Sequence, residues 1–478
     1  MSETTQASET VTSEQQTAQA PAENTNRKQP FPKGFLETIS TGWAERPDLT
    51  PPQRAQAPYA AARRDAVSAA FPGKRLVIPA GSYKQRSNDT DYPFRAHSAF
   101  AHLTGWASDS VPDSVLVFQP REDAASGHDV TLYLRERADR TTAEFYGDAT
   151  IGEFWIGPRP ALAGVAADLG VPTAHIDEFT ATEGDLVLDE DADLTRFVSE
   201  LRLVKDEYEI AQLRLAVAVT ARGFDDIVAD LPRIIDTPRG ERAVEGVFHH
   251  RARIEGNGEG YDTIAASGPH ACYLHWTRND GAVVPGDLIL IDAGVEVDSL
   301  YTADITRTLP VNGTFTSIQR KIYETVREAA DAAFAAARPG VKFREVHEAA
   351  MRVIADRVAE WGLLPVTADE ALDADRGGQH RRYMVHGTSH HLGIDVHDCA
   401  QARREMYYDG ILAPGMVFTI EPGLYFQIDD LTVPEEYRGI GVRIEDDILM
   451  TADGPVNLSA GIPRTADEVE AWIARLAR

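Results

Sequence analysis

Four acidic residues lie in or directly after apolar, strand-like runs of the C-terminal half. Asp292 and Glu421 each end an apolar run. Asp304 and Glu445 lie inside alternating runs. A buried carboxylate is costly unless it is paired or bound to a cation. Any one of these acids can be a strand-end acceptor or a salt-bridge partner, but four of them on strands that can share a sheet favour a cation site.

Histidines are concentrated in the same half of the chain. Four of them lie close together at His386, His390, His391 and His397, and His275 lies upstream. In an extended segment, consecutive side chains point to opposite faces, so only one of His390 and His391 can face a given site. A lone histidine is usually a structural group. A cluster beside strand-borne carboxylates favours metal binding.

Charge arithmetic predicts a dinuclear centre. Four carboxylates supply four negative charges, which balance two divalent cations, and one imidazole completes a mostly oxygen shell. Such ligands favour hard or borderline ions such as Mn²⁺. Two ions about 3.5–4 Å apart can share a water and lower its pKa from about 15.7 towards neutrality. The predicted chemistry is therefore hydrolysis by a bridging hydroxide.

Motifs of several other enzyme classes are missing from the sequence. There is no G-x-x-x-x-G-K-[ST] loop, no G-x-S-x-G elbow and no H-E-x-x-H helix, and Gly439-Ile440-Gly441 is not a dinucleotide fingerprint. The two cysteines, Cys272 and Cys399, are predicted to be inert because their surroundings do not favour a thiolate. Nucleotide-binding, serine-hydrolase and zincin functions are therefore disfavoured.

The elements around these residues alternate irregularly between helix and strand. The D-x-x-E sequence from Asp206 to Glu209 predicts a capping box at the start of a second domain. Further helices are predicted over Glu241 to Arg253, Ser317 to Ala337 and Phe343 to Trp361, and strands over Leu288 to Ile291, Tyr301 to Thr308, Met416 to Ile420 and Gly441 to Met450. This mixture favours an α+β domain over a doubly wound parallel one.

The first 200 residues are predicted to form a tail and a smaller α/β domain. Residues 1–30, rich in Ser, Thr, Glu, Gln and Ala, are predicted to be a disordered tail without the features of a secretory signal. Short strands are predicted at Leu76 to Ile78, Ser114 to Phe118 and Val130 to Leu134. The two folded domains are predicted over 31–200 and 201–478.

The composition limits the partners of the chain. Its 478 residues include 47 Lys+Arg and 75 Asp+Glu, a net charge of −28. Such a field repels phosphate backbones and anionic lipids, so neither nucleic acid nor a membrane is a predicted partner. Two cysteines supply no disulfide framework, which favours a reducing cytoplasm.

Six motifs of the C-terminal half resemble, in order and spacing, those of the aminopeptidase P (Xaa-Pro aminopeptidase) family. They are His275 to Asn279, Ile291 to Gly294, Ala303 to Thr308, His386 to Asp398, Ile420 to Gly423 and Tyr437 to Asp447. Asp91 to Arg95 and Leu103 to Trp106 resemble its creatinase-type N-terminal domain. The resemblance covers about residues 55–470 and implies a creatinase-like α/β domain followed by a pita-bread catalytic domain.

The resemblance also implies a set of metal ligands. The five matching residues are Asp292, Asp304, His390, Glu421 and Glu445. They would hold two divalent metal ions, usually manganese in the bacterial enzymes. Asp292 would hold one ion bidentately, and Asp304 and Glu445 would bridge both. Glu421 would bind metal and also shuttle the proton.

Other residues match the substrate side of the family's site. His275, His386 and His397 match histidines that contact the substrate or support the ligands, and His397 and His275 would stabilise the oxyanion. By the two-residue period of a strand, Arg443 would share a face with Glu445 and orient that carboxylate or a substrate carbonyl. Tyr425 is a weaker match near the site.

The implied reaction is hydrolysis of the first peptide bond of Xaa-Pro-peptides. Prolidase, which shares the ligands and cuts Xaa-Pro dipeptides, is the nearest alternative, and a non-catalytic pita-bread binding module is a more distant one. The family implies a homo-oligomer, either a dimer or a tetramer. Ala101-His102 stands where bacterial members have an aromatic residue that can reach a neighbouring subunit, a departure that bears on this assembly.

Overall fold

The computed structural model of the chain describes residues 31–88, 90–121 and 127–477. The predicted tail, residues 1–30, lies outside them. The helices of the described residues are α1 Lys33–Ile39, α2 Ala57–Ala70, α3 Ser98–Thr104, α4 Ala143–Gly147, α5 Glu153–Ile156, α6 Leu162–Leu169, α7 Ala192–Leu201, α8 Glu207–Ile235, α9 Gly240–Glu255, α10 Ser317–Ala336, α11 Phe343–Glu360, α12 Ala368–Ala371 and α13 Ala466–Leu476. Within this part of the chain, no helix combines the length and the apolar character needed to cross a membrane.

The strands of the same residues are β1 Leu76–Pro79, β2 Gln85–Ser87, β3 Thr90–Asp91, β4 Val115–Pro120, β5 His128–Leu134, β6 Thr173–His175, β7 Leu186–Val187, β8 Gly258–Glu259, β9 Ile264–Ser267, β10 Leu288–Ala293, β11 Val295–Glu296, β12 Ile305–Pro310, β13 Val417–Ile420, β14 Gly423–Phe426, β15 Ile440–Arg443, β16 Asp446–Thr451 and β17 Gly454–Asn457. Each predicted helix of the C-terminal half is found within one or two residues of its expected bounds. The three short strands predicted in the N-terminal half are β1, β4 and β5.

One compact unit is built from segments up to Pro47, over Gln85–Asp91 and over Glu136–Pro160. Its core is aromatic: Phe145 and Tyr146 of α4 are buried, and Phe31 and Phe35 pack against them. The rings of Phe31 and Tyr146 meet edge to face at 5.1 Å. This unit also contains the antiparallel pair β2–β3.

The other unit, which contains the remaining described residues, has two main apolar cores. The first lies beside a five-stranded sheet in the order β6-β5-β4-β1-β7, in which β4 is antiparallel to both of its neighbours. Leu76 and Phe118 of this sheet pack with Phe100 of α3. The N-terminal half thus combines a mixed sheet with helices that pack on it, such as α3.

The second core is organised around long helices and small antiparallel sheets. Helix α8 begins with the predicted capping box, in which the Asp206 carboxylate accepts from the N–H of Glu209 and the Glu209 carboxylate accepts from the N–H of Asp206. Its buried face includes Leu213 and Val217. The sheets that follow have the orders β12-β10-β9, β13-β16-β17 and β14-β15.

The single strand predicted from Gly441 to Met450 is two strands in the structure. β15 pairs with β14, whereas β16 pairs with β13, so the chain changes sheet between them. At the break, the N–H of Glu445 donates to the carbonyl oxygen of Thr306 at 3.1 Å. The prediction was wrong here because a continuous alternating pattern does not reveal a change of partner strand.

Gly294 lies between β10 and β11 where a side chain has no room. A Cβ at this position would lie 1.7 Å from the carbonyl oxygen of Ala303. Gly294→Ala is therefore expected to lower the free energy of unfolding by about 3 kcal/mol, the range of an overpacked core. Urea denaturation measures this change. Gly461→Ala, at a position with nothing within 4 Å of the added Cβ, is the control. Equal midpoints for both variants would contradict the prediction.

Candidate metal centre

The sheets of the second core bring the four predicted acids together. Asp292 lies in β10, and Glu421 directly follows β13. Asp304 immediately precedes β12, and Glu445 lies between β15 and β16. Both were predicted inside strands, and this detail was wrong. The N–H of Asp304 donates to the Asp447 carboxylate at 3.2 Å, so Asp304 stands outside the strand ladder.

His390 joins these carboxylates. Its Nε2 lies 3.3 Å from Asp304 Oδ2 and 3.7 Å from Glu421 Oε1. One potential ligand atom from each of Asp304, His390 and Glu445 lies within 4.8 Å of the others. His391 turns away from this cluster, with its ring against Phe343 at a centroid distance of 4.6 Å. The expectation that only one of the two histidines faces the site is confirmed.

The electrostatics of the cluster match a site for cations. Burial and the charge of Asp292 raise the pKa of Asp304 above its usual value. Burial raises the pKa of Glu421 to about 7, and burial with the charges of its carboxylate neighbours raises that of Glu445 far above normal. Burial opposes protonation of His390, but its hydrogen bond to Asp304 and the charge of Glu421 raise its pKa to about 9. The carboxylates raise one another's pKa because their negative charges lie close together without enough positive charge nearby. Divalent cations would balance this negative charge.

The donor types fit the two metal ions that the sequence implies. Four carboxylates and one imidazole form an oxygen-rich set without a thiolate, and both cysteines are buried and free elsewhere. Such donors suit hard or borderline divalent ions. The residues present are therefore chemically able to hold the implied pair of ions.

Arg443 orients Asp292, whereas the sequence pattern pairs it with Glu445. Its guanidinium donates to Asp292 Oδ2, and also to Thr306 Oγ1 at 3.1 Å. Thr306 Oγ1 in turn donates to Glu445 Oε2 at 2.6 Å. β15 ends at Arg443, so the strand alternation that would put it on a face with Glu445 does not continue.

Tyr425 connects Arg443 to His386. Arg443 Nη1 donates to the Tyr425 hydroxyl at 3.2 Å, and that hydroxyl lies 2.8 Å from His386 Nε2. His386 Nδ1 lies 2.6 Å from the carbonyl oxygen of Gly387, which can only accept, so Nδ1 carries the proton of the neutral ring and Nε2 accepts from Tyr425. Burial and the charge of Arg443 lower the pKa of His386 to about 3, which keeps the ring neutral.

A cavity of about 310 Å³ adjoins the cluster, and the five predicted ligands line it together with His275, His386, His397 and Arg443. His275 and His397 enter it beside the ligand set. The His397 ring lies 4.3 Å from that of His390, centroid to centroid. Burial and the nearby His390 and His275 lower the pKa of His397 to about 4, so it is a neutral N–H donor. The roles assigned to these residues stay predictions.

The sequence analysis missed Tyr261, which contacts two of the acids. Its hydroxyl lies 2.7 Å from Asp292 Oδ1 and also donates to Asp304 Oδ1. Burial, followed by the charges of these carboxylates, raises its pKa far above normal. Tyr261 lies between β8 and β9, outside any periodic run, and its only signal is an aromatic residue shortly before a buried strand.

Comparisons with known proteins show the family to which the chain belongs. The model of metallopeptidase family M24 matches residues 211–452, and that of the aminopeptidase P N-terminal domain matches residues 60–192. Xaa-Pro aminopeptidase 1 of Streptomyces coelicolor is 52% identical over 466 residues, covering 92% of each chain. The Xaa-Pro aminopeptidase of Escherichia coli is 34% identical over 430 residues, covering 84% of this chain and 93% of that one.

Solved structures agree as well. The low-pH form of Escherichia coli aminopeptidase P has a TM-score of 0.74 and 32% identity, covering 89% of this chain and 99% of that one. The zinc-substituted form of that enzyme, in complex with product, has a TM-score of 0.75 and 31% identity over 90% of this chain and 100% of its own. The predicted two-domain α+β architecture is thus confirmed. The chain belongs to metallopeptidase family M24 and, within it, to the Xaa-Pro aminopeptidases.

Proposed function

We propose that the cavity binds peptides with proline in second position and hydrolyses their first peptide bond with two Mn²⁺ ions. The observation that carries this proposal is the convergence of four carboxylates and His390 on a cavity lined by further histidines. The preference for manganese is supported by the oxygen-rich donor set. When bound, the two ions supply Lewis acidity and activate water for attack on a carbonyl.

Asp292, Asp304, His390, Glu421 and Glu445 would hold the ions, and the surrounding residues prepare this set. Arg443 donates to one oxygen of Asp292, and the Tyr261 hydroxyl lies 2.7 Å from the other. Thr306 fixes one oxygen of Glu445. Ligands held in this way bind metal with less loss of side-chain freedom.

Glu421 and the histidines would handle protons and developing charge. The carboxylate of Glu421, 3.5 Å from His386 Nδ1, would accept a proton from the attacking water and return it to the leaving proline nitrogen. His397 and His275 would donate hydrogen bonds to the carbonyl oxygen as it becomes negative. A donor that meets this charge only in the transition state accelerates the chemical step.

Proline explains why a dedicated cavity is needed. Its nitrogen carries no N–H, so a general peptidase that binds this hydrogen loses its contact with the substrate. The free α-amino group of the first residue would bind near one metal ion and the adjacent carboxylates. Recognition of that group would restrict cleavage to the N-terminal residue.

The cell compartment, assembly and domain boundaries are part of the proposal. The two free, buried cysteines are compatible with a reducing cytoplasm. We propose a homo-oligomer on the family resemblance alone. The two apolar cores support a boundary between folded domains near residues 200–201, at the C-terminal end of helix α7.

Purified enzyme is expected to release the first residue from an Xaa-Pro-Yaa tripeptide faster than from an Xaa-Pro dipeptide. Mass spectrometry of the products, with Mn²⁺ and after chelation, measures both rates. Chelation is expected to abolish release and Mn²⁺ to restore it. A preference for the dipeptide would instead identify a prolidase, and no release from either substrate would point to a binding role.

A further inference from the structure

A buried carboxylate outside the cavity binds the segment that carries His275. Glu241, the second residue of α9, is 0% exposed, and the hydrogen bonds that its side chain accepts come from residues 267–281. On Oε1, the donors are Ser267 N at 2.8 Å and His270 Nδ1 at 2.7 Å. On Oε2, they are Trp276 Nε1 at 3.0 Å and Gly281 N at 2.7 Å.

Two of these donors also stack on each other. The rings of His270 and Trp276 lie 3.9 Å apart, centroid to centroid, with planes 27° apart. Because both rings donate to one carboxylate, Glu241 fixes the indole of Trp276, which is not among the residues that line the cavity. Leu274 and His275, which directly precede Trp276, line the cavity instead.

The backbone of the segment is pressed against the same carboxylate. A Cβ added to Gly281 would lie 2.8 Å from Glu241 Oε2, so a glycine is needed for this approach. The N–H of Glu241 also donates to the carbonyl oxygen of Gly281 at 3.1 Å. Residues Ser267 and Gly281 are thus anchored on Glu241, with His275 between them.

We propose that Glu241 is a positioning residue, which sets the direction in which His275 enters the catalytic cavity. The inference rests on the proposed function, since it acts through the contact of His275 with substrate. Only a carboxylate suits the position, because it accepts all four hydrogen bonds and donates none. A glutamine has the same shape, but its NH₂ group must face the N–H of either Ser267 or Gly281.

Glu241→Gln is therefore expected to lower kcat by about tenfold or more with an Xaa-Pro-Yaa tripeptide, the usual scale for supporting residues. The bound metal is expected to stay at the wild-type level, since no ligand is changed. The matched control is Glu255→Gln at the other end of α9, where the carboxylate pairs with Arg222 and Arg251. This control is expected to keep wild-type kcat.

A double-mutant cycle with His275→Ala tests whether the effect passes through His275. In that background, Glu241→Gln is expected to cause less than about a twofold further loss of kcat. An equal loss in both backgrounds, a loss of bound metal, or a His275→Ala variant with wild-type kcat would overturn the inference. Failure of the proposed function would be seen separately, as a wild-type enzyme that does not release the first residue.

A second variant keeps the inference testable if Glu241→Gln does not fold. Trp276→Phe removes one donor to Glu241 and retains an aromatic ring against His270. It is expected to lower kcat by about threefold in the wild-type background and to have no effect in the His275→Ala background. An equal loss of kcat in both backgrounds would overturn the inference by this route.

Discussion

Asp304→Asn is expected to abolish tight metal binding and to lower kcat/KM by at least about a thousandfold. Asp304 is at the centre of the cluster, where its carboxylate contacts Tyr261 and His390. The substitution removes one negative charge and puts an NH₂ group where an oxygen would bind a cation. Loss of a ligand that would serve both ions disrupts the whole centre, so metal content and activity are expected to fall together.

Metal analysis of the purified variant, paired with its peptidase rate, measures this effect. Asp193→Asn is a matched control, because Asp193 is an exposed acid whose carboxylate pairs with Arg196 on the surface of α7. This control is expected to keep wild-type metal content and activity. If Asp304→Asn retained both as well, the ligand assignment of Asp304 would be wrong.

Much of the site could be predicted because charged residues stand at positions where the local pattern predicts buried, apolar ones. An acid at the end of an apolar run, such as Asp292 or Glu421, is conspicuous since burial of its charge needs compensation. The alternation of side chains correctly separated His390 from His391. Such signals depend only on residues that are close in sequence, so they can be recognised before the fold is known.

Features that depend on distant parts of the chain could not be predicted. Tyr261 reaches Asp292 and Asp304 only because β9 pairs with β10, a register that no local pattern specifies. The same limit applies to Arg443. Its predicted partner was Glu445, whereas in the structure its guanidinium donates to Asp292 on another strand. Glu241 showed no signal at all, since it occupies an ordinary position of a correctly predicted helix.

Glu421→Gln is expected to lower kcat by about a hundred- to ten-thousandfold, the usual contribution of a general acid–base. Glu421 lies between His386 and His390, and removal from water raises its pKa to about 7, towards the range in which a group both takes and gives a proton. The amide oxygen of glutamine can still bind a cation, but the side chain no longer carries a proton. The loss in kcat is therefore expected to exceed the loss of bound metal.

Rates per metal-loaded enzyme separate the two roles of Glu421. Glu360→Gln is the control, because Glu360 is an exposed acid that pairs with Arg357 on the surface of α11. A substrate analogue whose leaving group is a weaker base needs less protonation, so Glu421→Gln is expected to slow its hydrolysis less than that of the proline peptide. If the rate per loaded enzyme stayed at the wild-type value, Glu421 would be a ligand alone, and another group would have to protonate the leaving nitrogen.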